Sequence, residues 1–493
     1  MAASSKGILS HFPYPDIRPV QADLLTQIER GWDAHDVFVV NAPTALGKTA
    51  IARTLMEWQR DVSYLVPTNQ LLDQYLAAFP DTRTLRRIDS YVCAPYSEDR
   101  NKIACATVRA HSEFHNFCKG CPCGADMAQA KYRKAAGAYN FHIYMAQKLH
   151  RSALILDEAH QIIPFIQELA SLVVWKHQSG YPDKWMDPTQ LAAWVAAPAT
   201  KKKWGRKKWY PRLLGAATSA KPQYVVREEM REWRKGIGAV RAGDPVDLPC
   251  LVLKPVEIAH LPEVSMVFPR TTSKIVLMSA TIGPRDIREL GLSSRRVLYL
   301  NCASPIPPES RPLHRIPVAA VSYSNMEEST RKMAEFLLDV VAPQHAGERG
   351  LIHTTYQQSA ILREVLRGDP RFLFHTKDNK MDTLRKFMDG RRGDEVLVAS
   401  GLQEGLDLPY DLARWQVIMK VPWLSLGDPA IKYKADREPD WYRWETLKKI
   451  IQACGRVCRT PTDFGATLIL DSTVERLLEQ SWDSIPSWFR DVL

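Results

Sequence analysis

The chain of 493 residues is 45% hydrophobic and 25% charged, ordinary for a globular protein and long enough for about three domains. No stretch approaches the ~18 uninterrupted apolar residues of a membrane span, so no membrane partner is expected. Residues 1–15 lack the apolar segment of a secretory signal, and an intracellular location, cytoplasmic or nucleoid-associated, is the expectation. The net charge of +11 favours a polyanionic partner, nucleic acid first.

In chain order, the apolar run 37–41 reads as a buried strand, followed by a turn and a helix over 50–60. Strand 62–66 and helix 69–79 follow, the helix stopped by Pro80. Strand 153–156 ends at Asp157, and strand 275–278 ends at Ser279. A second alternating set starts near Arg349, with strands at 351–354, 395–399, 415–421 and 466–470 and a helix at 357–366. Such alternation predicts an α/β fold with parallel sheets, whose ligands bind beyond the carboxyl ends of the strands. The expected division is a first domain built from 1–87, 148–160 and 248–310, insertions at 88–147 and 161–247, and a second domain at 311–493.

Beyond strand 37–41 stands Ala42-Pro43-Thr44-Ala45-Leu46-Gly47-Lys48-Thr49, a phosphate-binding loop between a strand and a helix. Ala42 and Gly47 let backbone N–H groups wrap phosphates, Lys48 reaches the β and γ phosphates of ATP, and the Thr49 hydroxyl meets Mg²⁺. Ala45 and Leu46 occupy a stretch commonly richer in glycine. Asp157-Glu158-Ala159-His160 is a DEAH box: Asp157 for Mg²⁺, Glu158 to orient and deprotonate the attacking water, His160 to relay between domains. Ser279 and Thr281 of Ser279-Ala280-Thr281 are candidates for coupling, with a helix cap or turn as the plain alternative. Gln452, Arg456 and Arg459 fall at i, i+4 and i+7, one face of an expected helix, from which arginines can stabilise charge on the γ-phosphate; a solvated basic face is the alternative. Cys454 and Cys458 read as packing thiols.

Five of the nine cysteines lie between the loop and the box, as C-x11-C-x12-C-x2-C-x-C from Cys93 to Cys123. In an intracellular chain they read as thiols or metal ligands, and four thiolates suit a [4Fe-4S] cluster or zinc equally well. In the second insertion, the run Lys201 to Tyr210 interleaves cations and aromatics. Lys201, Lys207, Trp204 and Trp209 suit the phosphates and bases of single-stranded nucleic acid, or else a solvated loop.

These motifs, in this order, resemble the XPD/DinG family of superfamily 2 DNA helicases. Phe12-Pro13-Tyr14-Pro15 with Arg18-Pro19-Val20-Gln21 looks like that family's adenine-reading segment, which makes Gln21 the adenine reader. Residues 251–257 look like the return into the first motor domain, 401–409 like motif V, with Gly405 and Asp407 near the nucleotide, and 452–459 with Thr462-Asp463-Phe464-Gly465 like motif VI. Thr68 and Gln70 resemble residues that touch the DNA backbone, with Thr354 and Tyr356 at the equivalent exit of the second domain. The resemblance implies two RecA-like domains, the first interrupted by an Fe-S insert and a small Arch-like helical insert. It also implies a [4Fe-4S] cluster on Cys93, Cys105, Cys118 and Cys121, since Cys121-Pro122 fits the family's last ligand; Cys123 is in reserve and zinc is the alternative metal.

The function expected is that of an ATP-dependent helicase acting on single-stranded or forked DNA, travelling 5′-to-3′ as the resemblance implies, and working as a monomer. The alternatives are a translocase that remodels R-loops or protein–DNA complexes without processive unwinding, and a nucleic-acid-binding adaptor with a degenerate ATP site.

Overall fold

The computed structural model describes residues 7–87, 90–91, 122–131, 136–179, 188–207, 209–218, 224–233, 236–237, 240–241, 246–390, 392–401 and 407–493. They belong to two compact units: Met1–Val40, Lys48–Leu300 and Leu426–Lys434 in the first, and Asn41–Gly47, Asn301–Ser425 and Ala435–Leu493 in the second.

The first unit opens with helix α1 (Pro19–Gly31), strand β1 (Val37–Asn41), helix α2 (Lys48–Gln59), strand β2 (Val62–Val66) and helix α3 (Asn69–Ala78). Strands β3 (Arg83–Thr84), β4 (Gly137–Asn140) and β5 (Ala153–Leu156) follow. The insertion after the DEAH box supplies β6 (Leu172–Trp175), β7 (Tyr224–Trp233), the short β8 (Gly236–Ile237) and β9 (Val240–Arg241), and β10 (Val246–Pro255). The chain returns through β11 (Lys274–Ser279) and β12 (Val297–Asn301). Seven strands form one sheet in the order β12-β1-β11-β5-β2-β4-β3. Its pairs β11–β5, β5–β2, β2–β4 and β4–β3 are parallel. β2 and β5 are buried along their whole length, as inner strands of a parallel sheet covered on both faces must be.

Two expectations about the insertions change. β4 lies between β2 and β3, so residues 137–140, expected within the cysteine segment, are part of the motor sheet. Gly-Ala-Tyr-Asn carries too little aliphatic character to read as a strand, and the missing side chain at Gly137 leaves the space that the Tyr139 hydroxyl fills. The second insertion is not only helical. Helices at Ile162–Ala170, Pro188–Ala196, Pro198–Trp204 and Trp209–Thr218 accompany an antiparallel sheet, β6-β10-β7. β10 includes 251–255, expected as the return into the motor; the motor sheet is instead rejoined at β11. β7 escaped notice because it is a charged strand, with Arg231 held by Glu168 at 2.8 Å and Glu229 at 2.7 Å. Val174, Val195, Leu213, Tyr224 and Leu251 of the insertion share one buried cluster with Leu154, Leu156 and Leu277 of the parallel sheet.

The second unit holds strands β13 (Leu313–Ala319), β14 (Gly350–Thr354), β15 (Phe372–Phe374), β16 (Val396–Ser400), β17 (Trp415–Ile418) and β18 (Ala466–Asp471). They run in the order β13-β18-β17-β14-β16-β15, with every neighbouring pair parallel. Gly350 passes directly beneath the buried Trp415 indole, where any side chain would collide. The expected α/β architecture with two parallel sheets is therefore present. Among the described residues, no helix is long and apolar enough to cross a membrane.

Candidate nucleotide-hydrolysis site

β5 delivers Asp157 and Glu158 to the carboxyl edge of the first sheet, and Lys48 opens α2 beside them. The Lys48 ammonium donates to Glu158 Oε1 at 2.7 Å and lies 4.0 Å from Asp157 Oδ1. Asp157 is buried; its Oδ1 accepts the Glu158 N–H at 2.9 Å and its Oδ2 accepts the Tyr64 hydroxyl at 3.0 Å. Burial raises the Asp157 pKa, while Lys48 and these two hydrogen bonds pull it back. Glu158 stands at φ 46°, a left-handed conformation that turns the chain sharply after the strand. Because β5 and β11 pair with Leu156 opposite Leu277, the DEAH box and Ser279 end up side by side. His160 Nδ1 lies 2.9 Å from Ser279 Oγ and 3.4 Å from Glu158 Oε2, and Ser279 Oγ also accepts the Thr281 N–H at 3.1 Å. Lys48, Asp157, Glu158, His160, Ser279 and Thr281 thus form one group, as the motifs require.

The phosphate loop joins β1 to α2, with Lys48 and Thr49 as the first helical residues. Gly47 takes φ 85°, which glycine adopts freely. Ala45 takes φ 67°, so the departure from glycine noted in the sequence falls on a residue that carries left-handed strain. Ala42 is buried. Gln21 caps α1: its Oε1 accepts the Arg18 N–H at 3.1 Å, with Pro19 at the first helical position.

In the second unit, helix α4 (Tyr356–Val365) follows β14, and helix α5 (Pro439–Cys454) carries Gln452. The expected single helical face does not form, because α5 ends at Cys454 with Gly455 as its cap, and Arg456 and Arg459 sit in the loop beyond. Cys458 adopts φ 58°, and the buried carboxylate of Asp463 competes for the main chain there. Asp463 accepts the N–H groups of Arg459 at 2.7 Å, Phe464 at 2.8 Å and Tyr410 at 3.1 Å, and Arg414 Nη1 at 3.2 Å. Arg459 bonds Asp407 through Nε and the Gly455 carbonyl through Nη1. Cys458 is buried, and burial raises the pKa of Cys454 to about 12 and of Cys458 to about 11, in keeping with packing thiols.

Comparison with known proteins sets this arrangement in context. Residues 311–492 match the Helicase C-terminal domain family. A solved XPD helicase superposes with a TM-score of 0.60 at 16% identity, over 97% of this chain and 98% of that one. S. tokodaii Xpd4 gives 0.55 at 15% identity, over 94% and 97%. ATP-dependent DNA helicase DinG of Photobacterium profundum is 25% identical over 248 residues. The chain thus carries a match to a helicase C-terminal domain, is similar over part of its length to DinG, and shares its fold with XPD. The DinG match covers 44% of this chain and 34% of that protein. A regulator of telomere elongation helicase 1 homolog of Drosophila ananassae is 29% identical over 136 residues, 24% of this chain and 14% of that protein. The chain therefore matches a minor part of the length of these curated relatives.

Of the residues that the XPD/DinG likeness singled out, Cys93, Cys105, Cys118, Cys121 and Gly405 lie outside the described residues. Cys123, in helix Pro122–Lys131, is buried in the first-unit core. Among the candidate nucleic-acid contacts, Thr68 and Gln70 are exposed, and Thr68 caps α3 by accepting the Leu71 N–H. In the second unit, the matching cap of α4 is Thr355, one residue on from the expected Thr354, which is buried against Ser400 Oγ at 2.9 Å. Lys201 and Lys207 are exposed. The Lys203 ammonium covers the Trp204 ring at 4.9 Å, and Trp204 packs on the core beneath. Tyr210 is buried with its hydroxyl on the Val195 carbonyl, so this aromatic of the basic run serves packing. Trp209 opens the helix that follows. Sequence reading missed Tyr64 and gave Asp463 no role; a tyrosine inside a strand buried on both faces was the available signal for the first.

Proposed function

We propose that the chain is an ATP-driven DNA helicase that tracks along single-stranded DNA from 5′ to 3′. The observation that carries the reading is the contact of Lys48 with Glu158, with Asp157 alongside and His160 on Ser279. A lysine at the start of a helix supplies positive charge where the triphosphate must lie. As Lys48 exchanges Glu158 for phosphate oxygens, the Glu158 carboxylate becomes available to take a proton from water. Thr49 and Asp157 would hold Mg²⁺, which neutralises developing phosphate charge. Asp157 is disposed for this, with both carboxylate oxygens oriented by hydrogen bonds. Arg456 and Arg459 would stabilise charge developing on the γ-phosphate, and Gln452 lies one turn earlier on α5. His160 and Ser279 would couple hydrolysis to movement. This intact group of side chains argues against an adaptor with a degenerate ATP site.

The reading includes a [4Fe-4S] cluster on Cys93, Cys105, Cys118 and Cys121. Support comes from the resemblance to XPD/DinG helicases, which hold such a cluster on four cysteines at this place, the last followed by proline as in Cys121-Pro122. Unwinding of forked, 5′-tailed and 3′-tailed duplexes, with iron and zinc analysis of the same anaerobic sample, tests the whole. Unwinding of 5′-tailed and forked substrates by iron-loaded protein is expected. Protein displacement without strand separation would make the chain a translocase, efficient unwinding from a 3′ tail would reverse the polarity, and zinc in place of iron would remove the cluster.

A further inference from the structure

We propose that Tyr64 is a positioning residue for nucleotide-bound magnesium, fixing one carboxylate oxygen of Asp157 from within the sheet. The proposal rests on the reading of Asp157 as the metal-holding residue.

β2 lies between β5 and β4, and Tyr64 is paired with Ile155 across the ladder. Asp157 is two residues beyond Ile155, so the period of two puts it on the same face as Tyr64. The length of the phenol spans that offset, and its hydroxyl reaches Asp157 Oδ2 at 3.0 Å. Aliphatic side chains normally fill such a strand. A phenol buried there without a partner would be destabilising, and Asp157 is the partner. The ring is itself held: it meets the Tyr75 ring at a centroid distance of 4.6 Å, and the Tyr75 hydroxyl rests on the Met56 sulfur at 3.1 Å. Tyr64 therefore cannot swing away without disturbing α2 and α3.

The division of labour on Asp157 is then clear. Oδ1 accepts the Glu158 N–H and faces Lys48, while Oδ2 is oriented by the phenol. Partners behind a metal-holding carboxylate orient it, and their loss typically weakens metal binding about 10–100-fold.

Tyr64→Phe removes the hydroxyl alone, and a thermal unfolding midpoint close to wild type verifies the fold. The Mg²⁺ concentration for half-maximal ATP hydrolysis should rise about tenfold, with kcat at saturating Mg²⁺ within about threefold of wild type. Equilibrium binding of a fluorescent ADP analogue should keep its Mg²⁺-free affinity and lose most of the gain that Mg²⁺ confers. An unchanged Mg²⁺ requirement in an active enzyme, or an affinity loss equal with and without Mg²⁺, would overturn the role of Tyr64 and leave the helicase reading standing. Absence of ATP hydrolysis by the wild-type protein would overturn both.

Discussion

At the end of β5 the reactive side chains hold one another: Lys48 on Glu158, Tyr64 on Asp157, His160 on Ser279. In the second unit the arginines ride on a loop whose main chain is gripped by Asp463, with three N–H groups on one buried carboxylate. Asp471 repeats the device at the end of β18, where it accepts the N–H groups of Val321, Val421 and Thr473. The first arrangement suits groups that change partners when phosphate arrives. The second suits groups that must be presented in a fixed position, because a buried carboxylate with several amide donors is costly to strip of them. Chemistry in the first unit should therefore be lost through single side chains, and in the second through loop shape.

The largest effect follows from removing the base. Glu158→Gln should lower kcat by about 10²–10⁴-fold with nucleotide affinity retained, as read by single-turnover hydrolysis and direct binding; normal turnover would take the base role from Glu158. Next, Asp463→Asn keeps the volume but turns an amide toward N–H groups, and should cost about 1–3 kcal/mol of stability. If the loop presents Arg459, kcat falls while the KM for ATP and the DNA affinity stay close to wild type. A proportional loss of all three would make Asp463 a purely structural residue. The smallest effect sits in the phosphate loop. Ala45→Gly should relieve left-handed strain and raise stability by about 0.5–1 kcal/mol in chemical denaturation, and destabilisation would show that the alanine methyl packs favourably.

Strands β1, β2 and β5 were legible almost to the residue, because inner strands of a parallel sheet are short apolar runs bounded by polar strand ends. β4 was not: Gly137 and Asn140 dilute its pattern, and its place is set by pairing with β2 on one side and β3 on the other. β7 was missed for the opposite reason, since its charges are neutralised by partners distant in sequence, such as Glu168. At the site, the acidic and basic residues were visible from motif spacing alone. The helix break at Gly455 was not, because the acceptor that bends the chain, Asp463, lies beyond the spacing that suggested a continuous helical face. The role of Tyr64 appears only once the strand register sets it beside Asp157, and that of Thr355 only once the start of α4 is seen.

The most direct test of the central claim is the rate of ATP hydrolysis by wild-type protein and Lys48→Ala, with and without single-stranded DNA. A wild-type rate strongly stimulated by DNA and abolished in Lys48→Ala is the predicted result. A wild-type rate no higher than that of Lys48→Ala in the presence of DNA would contradict the account.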